Sequence, residues 1–467
     1  HQPITVTVDN LTGYSTAPFI VTFGSTRISP SAFAAKVDFT TGSSPQGIAI
    51  GDVDGDGKAD LVVSNYLSST VSVFRNTSTT GSITSGSFAA KVDFTTGSYP
   101  WGVALGDVDG DGKLDIAVSN YGSNTVSVLR NTSSSGSISF AARVDFVTGA
   151  YPYAVAIHDL DGDGKPDLAL ANYTSSTVSV LRNTSFGGSI SFAGKVDFGT
   201  GSGPKSIAVS DLDGDGKPDL VVGNSGASNV SVLRNTSSSG TIGFAAKVDF
   251  TTGSNAYGVA IGDLDGDSKR EIAVSNYGSG TISVLRNTST SGSITSGSFA
   301  TKVDFTTGSG PFGIAIAPLD GDSKPDIVVT NSLSNSISVL WNSSTSGNIS
   351  FVAKVDFPTA SSPQAIAIGD IDGDGKLELA GTNTGSNSVS VLRNTIPSSS
   401  PTVTTNAATN ITTTTATLNG TVNANGLTTT VRFIYGTTSG VYTDSLAATP
   451  GTVTGTNATP VLANISG

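Results

Sequence analysis

Seven times along this chain an apolar stretch runs into an acidic loop, and that recurrence constrains the fold more than any bulk property does. The loops begin at Asp52, Asp107, Asp159, Asp211, Asp263, Pro318 and Asp370, so the period is 52 residues, lengthened to 55 in the first and fifth units. Both longer units carry the same Thr-Ser-Gly insertion, near Thr84 and Thr295. A fixed period of this length marks a repeat architecture, in which each unit buries its apolar face only by packing against its neighbours.

Each unit divides into four segments with strand patterning. The first has a small residue at one fixed place, Ala49, Ala104, Ala156, Ala208, Ala260, Ala315 and Ala367, which suits strands crowded around an axis. The second is a continuous apolar run, such as Leu61-Val62-Val63 or Ile116-Ala117-Val118, as expected of a strand buried on both faces. The third alternates, as in Val71-Ser72-Val73, and period 2 means one buried face. The fourth has a Val-Asp-Phe core beginning at Val37, Val92, Val144, Val196, Val248, Val303 and Val355.

The seven fourth segments match the seven loops, yet the first copy precedes the first loop and none follows the last. Residues 33–39 are therefore expected to pair with the unit begun near Ala367, closing a ring that leaves no free sheet edge. An open solenoid gives no reason for this permutation. The fold class that follows is all-β: a seven-bladed β-propeller over residues 30–396, closed by its N-terminal strand, with partial β-sandwich segments at both ends. The 56 glycines and 18 prolines fit its many turns.

In the first loop Asp52, Asp54, Asp56 and Asp60 hold positions 1, 3, 5 and 9, and Lys58 at position 7 offers its backbone carbonyl. The same positions are held by Asp107, Asp109, Asp111, Lys113 and Asp115, by Asp159, Asp161, Asp163, Lys165 and Asp167, and by Asp211, Asp213, Asp215, Lys217 and Asp219. Asp263, Asp265, Asp267, Lys269 and Glu271 form the fifth set, and Asp370, Asp372, Asp374, Lys376 and Glu378 the seventh. Carboxylates at this spacing converge on one hard cation, with carbonyl and water oxygens completing the shell that Ca²⁺ takes. The sixth loop keeps Asp320, Asp322 and Asp326 but has Pro318 at position 1, so six full calcium sites and one degenerate site are expected. Glycine at position 4 of every copy, from Gly55 to Gly373, supplies the sharp turn. An EF-hand is excluded, because position 12 is Val63, Val118, Leu170, Val222, Val274, Val329 or Gly381 rather than Glu. Of the chain's 36 acidic residues 27 lie in these loops, and six Ca²⁺ would bring the formal charge from −12 to zero.

Acidic loops set between a Gly-Asp-ended strand and a Leu-Val-Val-like strand resemble the FG-GAP/VCBS repeats of integrin α-subunit propellers and of certain fungal and bacterial propeller lectins. The resemblance covers residues 33–395. It implies a seven-bladed propeller with calcium loops on the face opposite the usual ligand face.

That other face would be built from the linkers entering each first strand and from the turns after each second strand, where the aromatic residues concentrate. Tyr66, Tyr121, Tyr173 and Tyr277 each follow an Asn, while Tyr99, Trp101, Tyr151, Tyr153, Tyr257 and Phe312 fall in entry linkers. Other units place Gln46, Lys205 and Gln364 at the entry position. Aromatic faces beside amides suit stacking on sugars, so Tyr66, Trp101, Tyr121, Tyr153, Tyr173, Tyr257, Tyr277 and Phe312 are the candidate glycan- or protein-binding residues. Packing of these rings between blades is the alternative.

Nothing in the sequence points to catalysis. His158 stands where other units have Gly, Ser or Ala, His1 is terminal, and the dense acids are already claimed as cation ligands. Phosphate loops and nucleophile elbows are absent. With no Cys, thiol chemistry and disulfides are excluded. The negative charge disfavours nucleic acid, and no apolar run reaches membrane-span length.

The ends differ from the repeat. Residues 1–29, with Pro3–Val8 and Pro18–Phe23, resemble the last strands of an IPT/TIG-type immunoglobulin-like domain. After a Pro/Ser linker at 397–401, residues 402–467 resemble an incomplete fibronectin type III-like module. Incomplete sandwiches expose strand edges, which allows either truncation of a longer surface protein or self-association by strand exchange into a fibre. Asn-x-Ser/Thr triplets at Asn76, Asn131, Asn183, Asn235, Asn287 and Asn342 permit a surface ring of glycans. The expectation is a secreted or cell-surface calcium propeller for adhesion or carbohydrate recognition, or else a spacer or fibre subunit.

Overall fold

The computed structural model describes residues 4–8, 11–15, 29–322, 324–396, 402–410, 412, 415–423, 429–435, 444–453 and 457–466. Contacts divide the chain into two compact units, one formed by residues 33–394 and the other by residues 1–32 with 395–467.

The larger unit is the propeller. Seven four-stranded antiparallel sheets follow one another, each with its strands in chain order except the last. In the first blade these strands are Pro45–Gly51, Asp60–Asn65, Thr70–Phe74 and Val92–Thr95. The first strands of the next six are Pro100–Gly106, Pro152–His158, Pro204–Ser210, Ala256–Gly262, Pro311–Ala317 and Pro363–Gly369. Each lies beside the next, and the seventh returns to the first. All six residues of every second strand are buried, matching their apolar runs.

Closure is as the permutation requires. Val37–Thr40 forms the outer strand of the seventh sheet, pairing Val37 with Val391, Phe39 with Val389 and Thr40 with Ser388. A polar rung repeats inside the blades: in the first, Asn65 donates to Ser72 Oγ, which donates to Asp93, itself paired with Lys91. At the closure, Ser390 donates to Asp38, so the N-terminal strand supplies the acid its sheet would otherwise lack.

Crowding at the axis falls on the residue two before the repeated alanine. A Cβ on Gly47 would lie 2.5 Å from the Trp101 carbonyl oxygen of the next blade, and one on Gly258 would lie 2.5 Å from that of Phe312. Hydroxyls fasten the same seam. Ser64, Ser119, Ser275, Thr330 and Thr382 donate to the carbonyls of Trp101, Tyr153, Phe312, Gln364 and Gln46, each in the following blade.

In the smaller unit, Ile4–Val8 and Leu11–Ser15 form a hairpin. Five further strands run in the order Thr402–Thr409, Thr415–Asn423, Ala458–Ser466, Asp444–Val453, Thr429–Tyr435. Leu418, Val422, Val431, Phe433, Ala448, Val453, Val461 and Ala463 make its apolar core. The sequence reading assigned the two ends to separate modules, whereas contacts place them in one unit, with Ile4–Val8 approaching Thr402–Thr409. The segment Pro18–Phe23 and the linker 397–401 lie outside the described residues.

Candidate functional site

Each acidic loop leaves a first strand and returns as a second, so its geometry is set by the blade. Position-4 glycines adopt positive φ, from +69° at Gly373 to +78° at Gly110, and the loop turns there. Position 6 is also left-handed, with Ser268 at +70° in the fifth loop where most others have Gly, and Ser323 lies outside the described residues. In the first loop Asp52 Oδ1 accepts from the N–H groups of Gly55 and Asp56, and its Oδ2 from Gly57.

Carboxylate oxygens converge as the spacing requires. Asp52, Asp54 and Asp56 come within 4.8 Å of one another, as do the sets Asp107, Asp109, Asp115; Asp159, Asp161, Asp167; Asp211, Asp213, Asp219; and Asp263, Asp265, Glu271. The position-9 acid is the most enclosed. Asp60 Oδ2 accepts from Val53 N–H and its Oδ1 from Asn76 N–H, and the side chain is fully buried. Burial, only partly offset by those two donors, pushes Asp60, Asp115 and Asp167 up to about 6, and Asp219, Glu271 and Glu378 up to about 7. Asp109, Asp213 and Asp372 are likewise raised, by burial first and neighbouring acids second, and their Oδ2 atoms are buried without a hydrogen-bond partner. Arg130 and Arg393 come no nearer than 3.9 Å to the Asp109 and Asp372 oxygens, and buried oxygens without a hydrogen bond, held beside further carboxylates, fit a hard cation. The residues therefore suit a divalent ion, and where one binds it supplies the compensating charge.

The position-7 lysines have a second task. Lys58, Lys113, Lys165, Lys217, Lys269 and Lys324 each donate Nζ to the carbonyl of Ser78, Ser133, Ser185, Ser237, Ser289 and Ser344, just past the third strand. An arginine after that strand faces the position-5 acid in five blades, as Arg182 does Asp163 at 3.5 Å and Arg393 does Asp374 at 3.7 Å. In the sixth blade Trp341 takes the arginine's place, 2% exposed. It is the blade with Pro318, and Asp326 there is driven furthest, up to about 8. The degenerate loop has thus exchanged a charged partner for an indole.

The Asn-x-Ser/Thr triplets that would permit a surface ring of glycans are turned inward. Asn76, Asn131, Asn183, Asn235, Asn287 and Asn342 are all buried, none more than 6% exposed. Each amide nitrogen, the atom a glycan would occupy, donates to the carbonyl at loop position 8 of its own blade and at position 2 of the preceding one. Asn183, for example, reaches Pro166 and Val108, both at 2.8 Å. Asn394 does the same for the seventh blade, reaching Leu319. Three acidic loops are also tied forward, because Asp54, Asp161 and Asp265 accept from the N–H of Gly136, Gly240 and Gly347 in the following blade.

At the opposite ends of the first strands the candidate aromatic residues come together. Tyr66 stacks on Tyr99 at 4.8 Å and meets Trp101 edge-on at 5.3 Å. Trp101 lies 4.2 Å from Tyr153, Tyr153 5.4 Å from Tyr173, and Tyr121 4.6 Å from Tyr151. On the far side Tyr257 stacks on Tyr277 at 4.9 Å and meets Phe312 at 4.7 Å. Lys205 links the two groups, its Nζ 3.7 Å from the Tyr257 ring centre and 5.0 Å from that of Tyr153. Tyr153 is buried, so part of the array serves packing between blades, whereas Tyr99 and Tyr151 are 44% and 39% exposed.

A closed ring of seven sheets, with acidic loops that could hold cations at one end of the first strands and a cluster of aromatic residues at the other, defines an all-β propeller. Six overlapping matches to the FG-GAP-like repeat, at residues 52–118, 109–170, 159–222, 211–274, 263–329 and 319–381, span well over half of the chain, which belongs to that family. Among solved structures, a chain in the crystal structure of BBS1N in complex with ARL6DN, soaked with lead, shares 11% identity with a TM-score of 0.54, covering 78% of this chain and 97% of that one. An Agrocybe aegerita lectin described as recognising non-reducing terminal N-acetylglucosamine matches at 16% identity and TM-score 0.45, covering 71% and 92%. A Bacteroides fragilis protein described as a putative 6-phosphogluconolactonase matches at 14% and 0.46, covering 76% and 90%. At these identities the likeness concerns the fold alone. No curated protein matches the sequence.

Proposed function

We propose that this protein is an extracellular recognition module: a propeller stabilised by calcium at six acidic loops that binds carbohydrate at its aromatic mouth. The observation that carries the reading is the backbone of Tyr99 and Tyr151. They stand at φ +55° and +57°, where the corresponding places in other blades hold Gly203, Gly310, Asn255, Ser44 and Ser362. A bulky side chain in that region costs about 1–2 kcal/mol, which the stacking of Tyr99 on Tyr66 and the packing of Tyr151 on Tyr121 offset only in part, since one face of each ring stays open to solvent. Strain held at exposed aromatic residues points to a contact with something outside the chain. Flat faces of this kind suit the C–H face of a pyranose.

The test is a glycan array in calcium, comparing the native chain with Tyr99→Gly and Tyr151→Gly. Both variants relieve the strained φ, so they should melt no lower than the native protein while losing its glycan binding. Absence of any saturable glycan, or hits untouched by both variants, would sink the reading.

A second reading, a fibre subunit assembled by strand exchange, is favoured by a different observation. Among the described residues, Thr402–Thr409 and Thr429–Tyr435 end the smaller unit's sheet, and Ile4–Val8 pairs in register only with Leu11–Ser15. Electron microscopy of concentrated protein separates the readings, since filaments support assembly and dispersed monomers oppose it.

A further inference from the structure

The first strands neighbour one another around the ring, and their second residues are Gln46, Trp101, Tyr153, Lys205, Tyr257, Phe312 and Gln364. A cavity of about 200 Å³ opens among them, lined in part by Trp101, Tyr153, Lys205, Ser206, Tyr257 and Phe312. Its one cationic lining residue is out of keeping with the repeat. The lysines of the repeat have fixed acceptors, either a Ser carbonyl, as for Lys58, or an aspartate, as for Lys91. Lys205 belongs to neither set: among the described residues no carboxylate lies within ion-pair distance of its Nζ, which faces only the rings of Tyr153, Tyr173 and Tyr257.

The seam around Lys205 is also altered. Five blades fasten the following first strand with a Ser or Thr hydroxyl, but the third and fourth have Ala171 and Gly223 at that place, leaving the carbonyls of Lys205 and Tyr257 without this bond. Ser206 occupies the space beside Gly223, and its hydroxyl is buried without a partner. An ammonium that has aromatic faces but no anion beside it, an orphaned hydroxyl and aromatic walls therefore meet in one cavity. Its volume is below the ~300–1,000 Å³ of sites for drug-sized ligands, which suits a single sugar ring.

We propose that this cavity binds a uronic acid residue of an acidic polysaccharide, Lys205 taking its carboxylate and the flanking rings its apolar face. The inference rests on the carbohydrate reading above and narrows it to acidic sugars. The chain's negative charge does not oppose it. Residues 46 and 52 stand at opposite ends of a first strand, about 20 Å apart at ~3.3 Å per residue, and salt screens charges over ~8 Å. Burial also pulls Lys205 down to about 8, a strain that a bound anion relieves and that Met or Gln would avoid.

Calorimetry in calcium with three ligands tests this: an oligosaccharide ending in a hexuronic acid, its methyl ester and the neutral hexose counterpart. The acid should bind about tenfold to hundredfold more tightly than the other two, the range of one charged hydrogen bond, and Lys205→Met should abolish the difference. Equal binding of acid and ester overturns the proposal while leaving the carbohydrate reading intact, and that comparison needs no variant to fold. Binding of other glycans at Tyr99 and Tyr151, with none of these three bound, also overturns it. Failure of every sugar removes both readings.

Discussion

Replacing Asn183 by Ala tests how the blades are held together. The side chain donates to the carbonyls of Val108 and Pro166, both at 2.8 Å, and accepts from Ser185 N–H at 2.8 Å, with no solvent exposure. Truncation leaves two buried backbone groups and one partly buried carbonyl without these bonds, at about 1–1.5 kcal/mol each, so about 3–4 kcal/mol of stability should be lost. Asn183→Asp should be worse near neutral pH, because a carboxylate then faces two carbonyl oxygens and cannot donate to either. Urea unfolding in calcium, followed by tryptophan fluorescence, measures this cleanly, since Trp101 and Trp341 both lie in the propeller and are the chain's two tryptophans. A midpoint shift equivalent to less than 1 kcal/mol with an unchanged slope would refute the clasp. So would a glycan found on Asn183 by mass spectrometry of the folded protein.

Removing residues 1–40 should strip the seventh sheet of its outer strand and bare the edge at Ser388–Leu392; size-exclusion chromatography should then show self-association, and a stable monomer would argue against ring closure. Restoring the sixth loop with Pro318→Asp and Trp341→Arg together should add one calcium per chain by equilibrium dialysis, whereas an unchanged count would show that the loop's defect lies elsewhere. Uronate affinity should be flat from about pH 5 to 7, where its carboxylate is ionised, and should fall above about 8 as Lys205 loses its proton. Tyr153, Tyr173 and Tyr257 face that amine, and burial has pushed Tyr153 and Tyr257 above the usual phenol range. Affinity unchanged at pH 9.5 would exclude the charge contact.

The sevenfold architecture, the converging acids and the closing strand could all be read from the sequence, because each is written once per repeat in residues adjacent along the chain. The asparagine clasp was not legible in the sequence, for a physical reason. Asn-x-Ser is both a glycan acceptor and a turn in which Asn183 Oδ1 takes the Ser185 N–H, and what separates the two is a carbonyl 75 residues away in another blade. Trp341 was legible in principle, since aligning the repeats puts it alone among arginines in the very unit that has Pro318. The Ser206–Gly223 exchange was not, because it compensates between strands whose register the pattern leaves open. Tyr99 and Tyr151 were noticed as aromatic residues, but their positive φ is visible only in the backbone.

Metal content at saturating calcium tests the account most directly. After dialysis against millimolar calcium, elemental analysis of the native protein should find six calcium ions per chain, and chelation should lower its urea midpoint. One ion or none per chain, with stability indifferent to chelator, would mean that the acidic loops hold the blades by backbone hydrogen bonds alone and would contradict the account.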